Sequence, residues 1–368
     1  MGALRPGLGL LGLALLAPAP ARADTLDDTI VALMQKKQVP GLSLAVIQDG
    51  RIVRARGYGV IERGGTTPVT VDTLFQAGSV SKPVAAVGAM RLVEAGTLSL
   101  DADVNAALKS WHVPENEFTK TEKVTLRRLL SHTAGLTVHG FPGYAVGDAR
   151  PTLLEIFDGK KPANTDAIRV DFFPGKRNRY SGGGYTVMQQ LVIDVTGRPF
   201  PDFMRDTVLQ PLGMTASSYE QPLPPARAAL TATGHYPGAK PVPGRWHVYP
   251  EMAAAGLWTT ASDLARFVIG VQLAIAGEPG ALLPPATARL MVTSVKPGYG
   301  LGFAVAGAGQ KQTFSHGGRD EGFDTQMIGY RETGQGAVIM INLNENSGFM
   351  TQVQWAIGNA YGWPQFVH

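Results

Sequence analysis

The chain of 368 residues contains no cysteine, which excludes disulfides, a thiol nucleophile and a lipid-modified cysteine at an export cleavage site. Charge is also sparse. Asp, Glu, Lys and Arg make up 17% of the residues, and the densest basic cluster, Gly175-Lys176-Arg177-Asn178-Arg179, is too small to argue for a nucleic-acid partner. The seven histidines, at positions 112, 132, 139, 235, 247, 316 and 368, include no His-Glu-x-x-His or other close ligand pair, so no metal is expected. Beyond the first residues no apolar run is long enough to span a membrane.

One apolar run does stand at the start. Leu8 to Ala17 follows Arg5 and precedes a proline break and the small-residue triplet Ala21-Arg22-Ala23. This layout predicts a signal peptide over 1–23, cleaved near Ala23, and an exported chain, periplasmic or secreted, beginning near Asp24. Loss of Arg5 and Arg22 leaves 31 cations against 29 anions, so a sequence pI of about 9.2 overstates how basic the mature protein is. The roughly 345 residues that remain exceed what one hydrophobic core usually serves, which favours one large domain with two lobes.

Periodicity supplies the elements. Leu26 to Lys37 reads as a helix, and "GLSLAVIQDGRIVRARGYGVI" alternates on both sides of Asp49-Gly50 as a β-hairpin. "VTLRRLLSHTAGL" and "YTVMQQLVIDVTG" carry apolar residues three and four apart, followed by glycine, which predicts a mainly helical middle. From Tyr299 onward "YGLGFAVAG", "DTQMIGYRE" and "GAVIMINLN" read as strands, with a last helix over Phe349 to Ala360. The expected class is α+β: an antiparallel sheet flanked by helices and formed from both chain ends, with an inserted helical lobe. The sheet lobe would take 24–78 and 260–368, and the helical lobe 79–259.

The chemistry is suggested by "LFQAGSVSKPVAAVGAMRLVEAG". If a helix begins at or just before Ser79, Lys82 lies three residues on and shares its face, within reach of the serine hydroxyl. Ser81 is adjacent to Lys82 and points elsewhere. A serine needs a neighbour to accept its proton, and a lysine can do so once burial pushes it toward the neutral amine. Taken alone, the string is also readable as an ordinary helix start, with a serine cap and Pro83 in the first turn.

Ser-x-x-Lys within "FQAGSVSK" resembles the nucleophile motif of serine β-lactamases, penicillin-binding proteins and their relatives. "GTLSLDADV", "VTLRRLLSHTAGL", "PGKRNRYSGGGY", "PLGM", "AAGLWTTASDLARF" and "SHGGRDEGF" resemble the class C β-lactamase-like branch, in the expected order and over nearly the whole mature chain. The resemblance implies a β-lactamase/transpeptidase-like fold with Ser79 as nucleophile, Lys82 as its base and Tyr180 moving protons. It also implies a binding strand at His316, Gly317 and Gly318, and an oxyanion hole from the backbone N–H groups of Ser79 and Arg319.

Two departures redirect the expectation. The branch's Tyr-x-Asn is Tyr180-Ser181-Gly182 here, and its Lys-Thr-Gly is His316-Gly317-Gly318. A histidine in place of a permanent cation weakens the case for a substrate carboxylate, and His-x-Gly versions occur in esterase-like and D-aminopeptidase-like relatives. The expected substrate is therefore a small ester, amide or peptide, with a β-lactam or cell-wall peptide as the alternative, and a non-catalytic penicillin-binding sensor or scaffold as a further one. No cofactor is needed. His132 is expected to support its lobe, and "GYGLGF" at Gly298 lacks the strand-to-helix setting of a nucleotide loop.

Overall fold

Asp49 and Gly50 both adopt positive φ, 51° and 67°, the conformation that a two-residue hairpin turn requires. They join β1 (Gly41–Gln48) to β2 (Arg51–Gly59) in the computed structural model, which describes residues 22–345 and 347–366. Of the expected signal segment, residues 1–21 lie outside the described residues, as does His368.

Four further strands, β3 (Ala304–Ala306), β4 (Thr313–Asp320), β5 (Phe323–Tyr330) and β6 (Gly336–Ile341), complete a six-stranded sheet of order β2-β1-β6-β5-β4-β3. Every neighbouring pair is antiparallel. The sheet is thus assembled from both chain ends, as the sequence predicts. Among the described residues the five longer helices are α1 (Arg22–Lys37), α2 (Ser81–Glu94), α3 (Gly182–Thr196), α4 (Ala261–Ala276) and α5 (Phe349–Tyr361).

Both faces of the sheet are covered, and strand alternation assigns each side chain to one core. Leu42, Leu44 and Val46 of β1, with Ala337, Ile339 and Ile341 of β6, pack with Leu26 and Ile30 of α1 and with Phe349, Val353 and Ile357 of α5. The intervening residues Ala45, Ile47, Val338 and Met340 join a second core with Phe267 and Val268 of α4 and Val84 and Ala85 of α2. Each fully buried aliphatic side chain contributes roughly 1.5–3 kcal/mol. The edge strand β2 instead exposes much of its length and carries Arg51, Arg54 and Arg56, which discourages further strand pairing.

Two expectations need adjusting. The run from Tyr299 forms a strand only over Ala304–Ala306, because Gly298 and Gly302 take φ of 84° and 93° and break the extension before it. The middle is also less helical than its apolar spacing suggests: "VTLRRLLSHTAGL" yields one short helix, Leu126–Leu130, capped by the Thr125 side chain. Gly135, Pro142, Gly143, Pro151, Pro162 and Pro174 keep most of the chain up to α3 in loops.

Ile30 is fully buried on α1, whereas its neighbour Val31 is 41% exposed. Ile30→Ala is expected to lower the unfolding free energy by about 2–4 kcal/mol, and Val31→Ala by less than about 0.5 kcal/mol. Urea unfolding of the two variants checks that α1 is an integral part of the outer core.

Candidate active site

Ser79 sits in a single 3₁₀ turn, Gly78–Val80, that runs directly into α2 at Ser81. Neither element has a side-chain cap, so the turn is held from outside. Phe75–Gln76 pairs with Trp258–Thr259, Ala77 N–H donates to the Leu257 carbonyl at 2.9 Å, and Leu257 N–H donates to Ser81 Oγ at 2.9 Å. Ser81 Oγ also donates to the Gly78 carbonyl at 2.6 Å. Ser81 is therefore a fully buried brace of the turn, and Ser79 is the serine that lines the cleft.

On the other side of Ser79 runs β4. A Cβ added to Gly318 would lie 1.9 Å from the Ala77 carbonyl oxygen and 3.0 Å from the Ser79 backbone nitrogen. A Cβ on Gly78, whose φ is +52°, would lie 2.4 Å from the Arg319 backbone nitrogen. Two glycines thus let two backbones meet, and the amides of Ser79 and Arg319 come to the same place. Strand β3 covers only Thr313–Ser315 of β4, so beyond Ser315 the turn at Ser79, rather than another strand, borders β4.

Lys82 is 1% exposed. Its Nζ lies 2.9 Å from Ser79 Oγ and donates to the Ala254 carbonyl at 2.7 Å. That carbonyl is presented by the short helix Met252–Ala255, which Gln189 of α3 brackets: its amide donates to the Pro250 carbonyl at 3.0 Å and accepts from Ala253 N–H at 2.9 Å. Burial pulls the Lys82 pKa down to about 7, with the field of Asp320 acting in the opposite direction. The Tyr180 ring centroid lies 4.9 Å from Nζ. Burial raises the Tyr180 pKa while Ser79 opposes the rise, and its hydroxyl, beside Ser79, has no partner at full hydrogen-bonding geometry.

His316 is buried and its ring is committed. Nδ1 lies 2.6 Å from the Gly317 carbonyl and Nε2 2.9 Å from the Tyr299 hydroxyl. The same hydroxyl lies 3.2 Å from His132 Nε2, and His132 Nδ1 accepts from Ser181 N–H at 3.1 Å. The ends of this chain assign the protons, because Ser181 N–H can only donate and the Gly317 carbonyl can only accept. His132 carries its proton on Nε2 and donates to Tyr299, which donates to His316 Nε2, while His316 Nδ1–H donates to Gly317. Every bond is made with both rings neutral. Burial and the nearby Lys82 charge lower the His316 pKa to about 3 and hold His132 well below its ordinary value.

The sequence placed His132 in a support role. It does stand under the site, its ring centroid 4.2 Å from that of Tyr180, and with both nitrogens engaged it forms no Ser-His-Asp array. Gly182 starts α3 behind Ser181, whose side chain caps the helix at Gly184 N–H. A Cβ there would lie 3.0 Å from the Phe141 ring and 3.1 Å from the His139 carbonyl, so the loop through His139 fills the space an asparagine would need. Tyr299 and Asp320 were not singled out from sequence: the glycines around Tyr299 read as strand breaks, and Asp320 is hidden inside "SHGGRDEGF". Asp320 is 3% exposed and neither carboxyl oxygen has a hydrogen-bond partner at full geometry.

These groups border an open cleft of about 770 Å³ whose lining includes Ser79, Tyr180, Tyr299, His316–Arg319, Gln326 and Met350. Among the described residues no three His, Asp or Glu side chains are arranged to hold a metal ion.

Comparison with known proteins identifies the family of the chain as a whole. A family model described as Beta-lactamase covers residues 26–361. The chain belongs to the β-lactamase family. It is 32% identical over 265 residues to penicillin-binding protein 4 of Amycolatopsis lactamdurans, covering 71% of this chain and 67% of that protein. It is 30% identical over 208 residues to esterase EstB of Burkholderia gladioli, covering 53% of this chain and 51% of that protein. The solved structure of an octameric penicillin-binding protein homologue from Pyrococcus abyssi superposes with a TM-score of 0.75 at 24% identity, covering 92% of this chain and 77% of the other. This β-lactamase-family chain thus belongs to a serine hydrolase superfamily whose members carry different activities.

For a β-lactamase-family site built on this backbone contact, the two glycines of β4 are not equivalent. Gly318→Ala is expected to destabilise the protein by at least about 2 kcal/mol. Gly317→Ala, where the nearest atom to a Cβ is 3.9 Å away, is expected to stay within about 0.5 kcal/mol of the parent. Denaturant midpoints of the two variants measure the difference.

Proposed function

We propose that this protein is an exported serine acyl hydrolase that cleaves an ester or amide without a negatively charged group beside the scissile bond. The observation that carries the reading is the 2.9 Å contact between Ser79 Oγ and a Lys82 amine whose pKa burial brings to about 7. An amine poised there is neutral often enough to take the serine proton and basic enough to hold it. As Oγ bonds to the substrate carbonyl carbon, its proton passes to Nζ, and the oxyanion forms between the amides of Ser79 and Arg319. Tyr180 remains a phenol, so it acts as a relay: it gives its proton to the leaving group and receives the one held by Lys82. Water then attacks the acyl-enzyme with the proton path reversed.

The substrate class follows from charges in the cleft. His316 is neutral with both ring nitrogens engaged. Arg319 is the one cationic side chain among the described residues lining the cleft, and Asp324 holds its guanidinium through two hydrogen bonds of 2.6 and 2.5 Å. Neither offers an uncompensated cation to a carboxylate. Export is supported by the layout of the first 23 residues, and cleavage near Ala23 leaves the buried anchors Leu26 and Ile30 of α1 in place.

Intact-mass spectrometry with a p-nitrophenyl ester, a D-alanyl peptide and a β-lactam tests the reading. A transient Ser79 adduct and steady product release from the ester are expected; a persistent β-lactam adduct would instead indicate a penicillin-binding sensor. Ser79→Ala should abolish every adduct, whereas Ser81→Ala should leave acylation detectable in a less stable protein. Because the base must be neutral, kcat/KM should rise with pH through a single limb near Lys82's pKa of about 7. His316, held near 3, should add no limb between about pH 5 and 9, and a limb lost in His316→Ala would place that ring in the proton path.

A further inference from the structure

The backbone of His132 is unusual. Its φ is +56°, a left-handed conformation that residues other than glycine seldom adopt unless their surroundings impose it. In that conformation the His132 carbonyl accepts from Arg179 N–H at 2.8 Å and its Nδ1 accepts from Ser181 N–H at 3.1 Å. One residue therefore holds the backbone N–H groups on either side of Tyr180. The Tyr180 ring also lies against the His132 ring, with centroids 4.2 Å apart and planes tilted by 37°. His132 is the seat of Tyr180.

The seat exists in one tautomer only. Ser181 N–H requires an acceptor, so Nδ1 must be bare and the His132 proton must sit on Nε2. The Tyr299 hydroxyl, 3.2 Å from Nε2, accepts that proton's hydrogen bond. Its own proton then goes toward His316 Nε2 at 2.9 Å, which leaves His316 Nδ1 to donate to the Gly317 carbonyl at 2.6 Å. Because a phenol has one proton, the direction of the whole chain is forced. It runs from Ser181, next to Tyr180 on the helical side of the cleft, to Gly317 on the part of β4 that β3 leaves uncovered.

The loop that carries Tyr299 is itself fixed. Gly302 N–H donates to the Leu130 carbonyl at 3.0 Å, and Tyr299 N–H donates to the Lys296 carbonyl at 3.1 Å. A Cβ on Gly302 would lie 2.8 Å from Ala86 Cβ and 3.3 Å from Pro83 Cα, so the loop rests directly on α2 beside Lys82. The phenol is thus held from the same helix that carries the buried amine.

We propose that Tyr299 is a positioning residue acting through His132: its hydroxyl, placed between two imidazoles, fixes the tautomer in which His132 holds Ser181 N–H, and so keeps the Tyr180 hydroxyl beside Ser79 for proton transfer to the leaving group. The inference rests on the acyl-transfer reading above. No bond to Tyr299 forms or breaks in this role, and the leaving-group proton still comes from Tyr180.

Tyr299→Phe removes the hydroxyl and keeps the ring. The test compares kcat/KM of the full-length parent and this variant on two esters of one acid, p-nitrophenyl butyrate and ethyl butyrate. Nitrophenolate departs without a proton, whereas the ethoxide leaving group needs one from Tyr180. A loss of about tenfold or more on the ethyl ester is expected, against less than about threefold on the nitrophenyl ester. A general loosening of the fold would lower both alike, so equal losses, or no loss on the ethyl ester, overturn the inference and leave the acyl-transfer reading standing. A parent that hydrolyses neither ester and forms no Ser79 adduct overturns both. Ring-nitrogen NMR of 15N-histidine-labelled protein at about pH 7 reads the tautomers directly. His132 protonated on Nε2 and His316 on Nδ1 are expected in the parent, with His132 averaging between tautomers in Tyr299→Phe. Either parent ring in the other tautomer or doubly protonated, or an unchanged His132 tautomer in the variant, overturns the inference. Should Tyr299→Phe not fold, or the ethyl ester turn over too slowly to measure, the parent spectra decide.

Discussion

The site depends on how closely two backbones approach. Residues 77–79 and 318–319, some 240 positions apart in the chain, meet at a separation that excludes a Cβ on either Gly78 or Gly318. No cap of its own holds the turn at Ser79. Its shape comes from the sheet on one side and from Leu257 on the other, whose carbonyl and N–H fix Ala77 and Ser81. The geometry around Ser79 is thereby inherited from the rigid part of the fold, which, under the acyl-transfer reading, is where preorganised amides can be held without reorganising as charge develops.

The same enclosure governs the electrostatics. Lys82 is dry enough to lose much of its proton affinity, and a second positive group nearby would lower it further. His132 and His316 both lie within its field. Burial, with the charge of Lys82, keeps them uncharged, and the Tyr299 hydroxyl lets both neutral rings complete their hydrogen bonds, since it accepts from the first and donates to the second.

Much of this was legible in the sequence, for identifiable reasons. The hairpin announced itself through Asp49-Gly50, since two successive positive φ angles restrict the residues a turn accepts. The sheet drawn from both chain ends followed from where the apolar runs fell. The spacing of Ser79 and Lys82 allowed a contact across one helical turn, but it also fitted an ordinary helix start; the candidate roles of these two residues, as of Tyr180, His316, Gly317, Gly318 and Arg319, came from distant motifs that resemble a family in order. Contacts that close across the chain left no local mark. Tyr299 serves from a loop whose glycines look like interruptions, and nothing beside Asp320 in the sequence marks it as buried. Likewise Gly182 looked like the loss of an amide, whereas its vacancy is occupied by the loop at His139 and Phe141.

Under the acyl-transfer reading, these commitments also limit how substrates are told apart. A family scaffold that reads a carboxylate needs a cation with bonds to spare, and here His316 is spent on Tyr299 and Gly317, and Arg319 on Asp324. What faces an acyl group is instead the exposed Gly317 backbone on a stretch of β4 that β3 does not cover, together with uncharged side chains such as Gln326 and Met350. Selection among substrates then falls to shape and to main-chain hydrogen bonding, both of which tolerate variation in the acyl group more readily than a buried ion pair would. Under the same reading, breadth toward neutral esters and small amides would follow from pairing Arg319 with Asp324 and leaving His316 neutral between Tyr299 and Gly317.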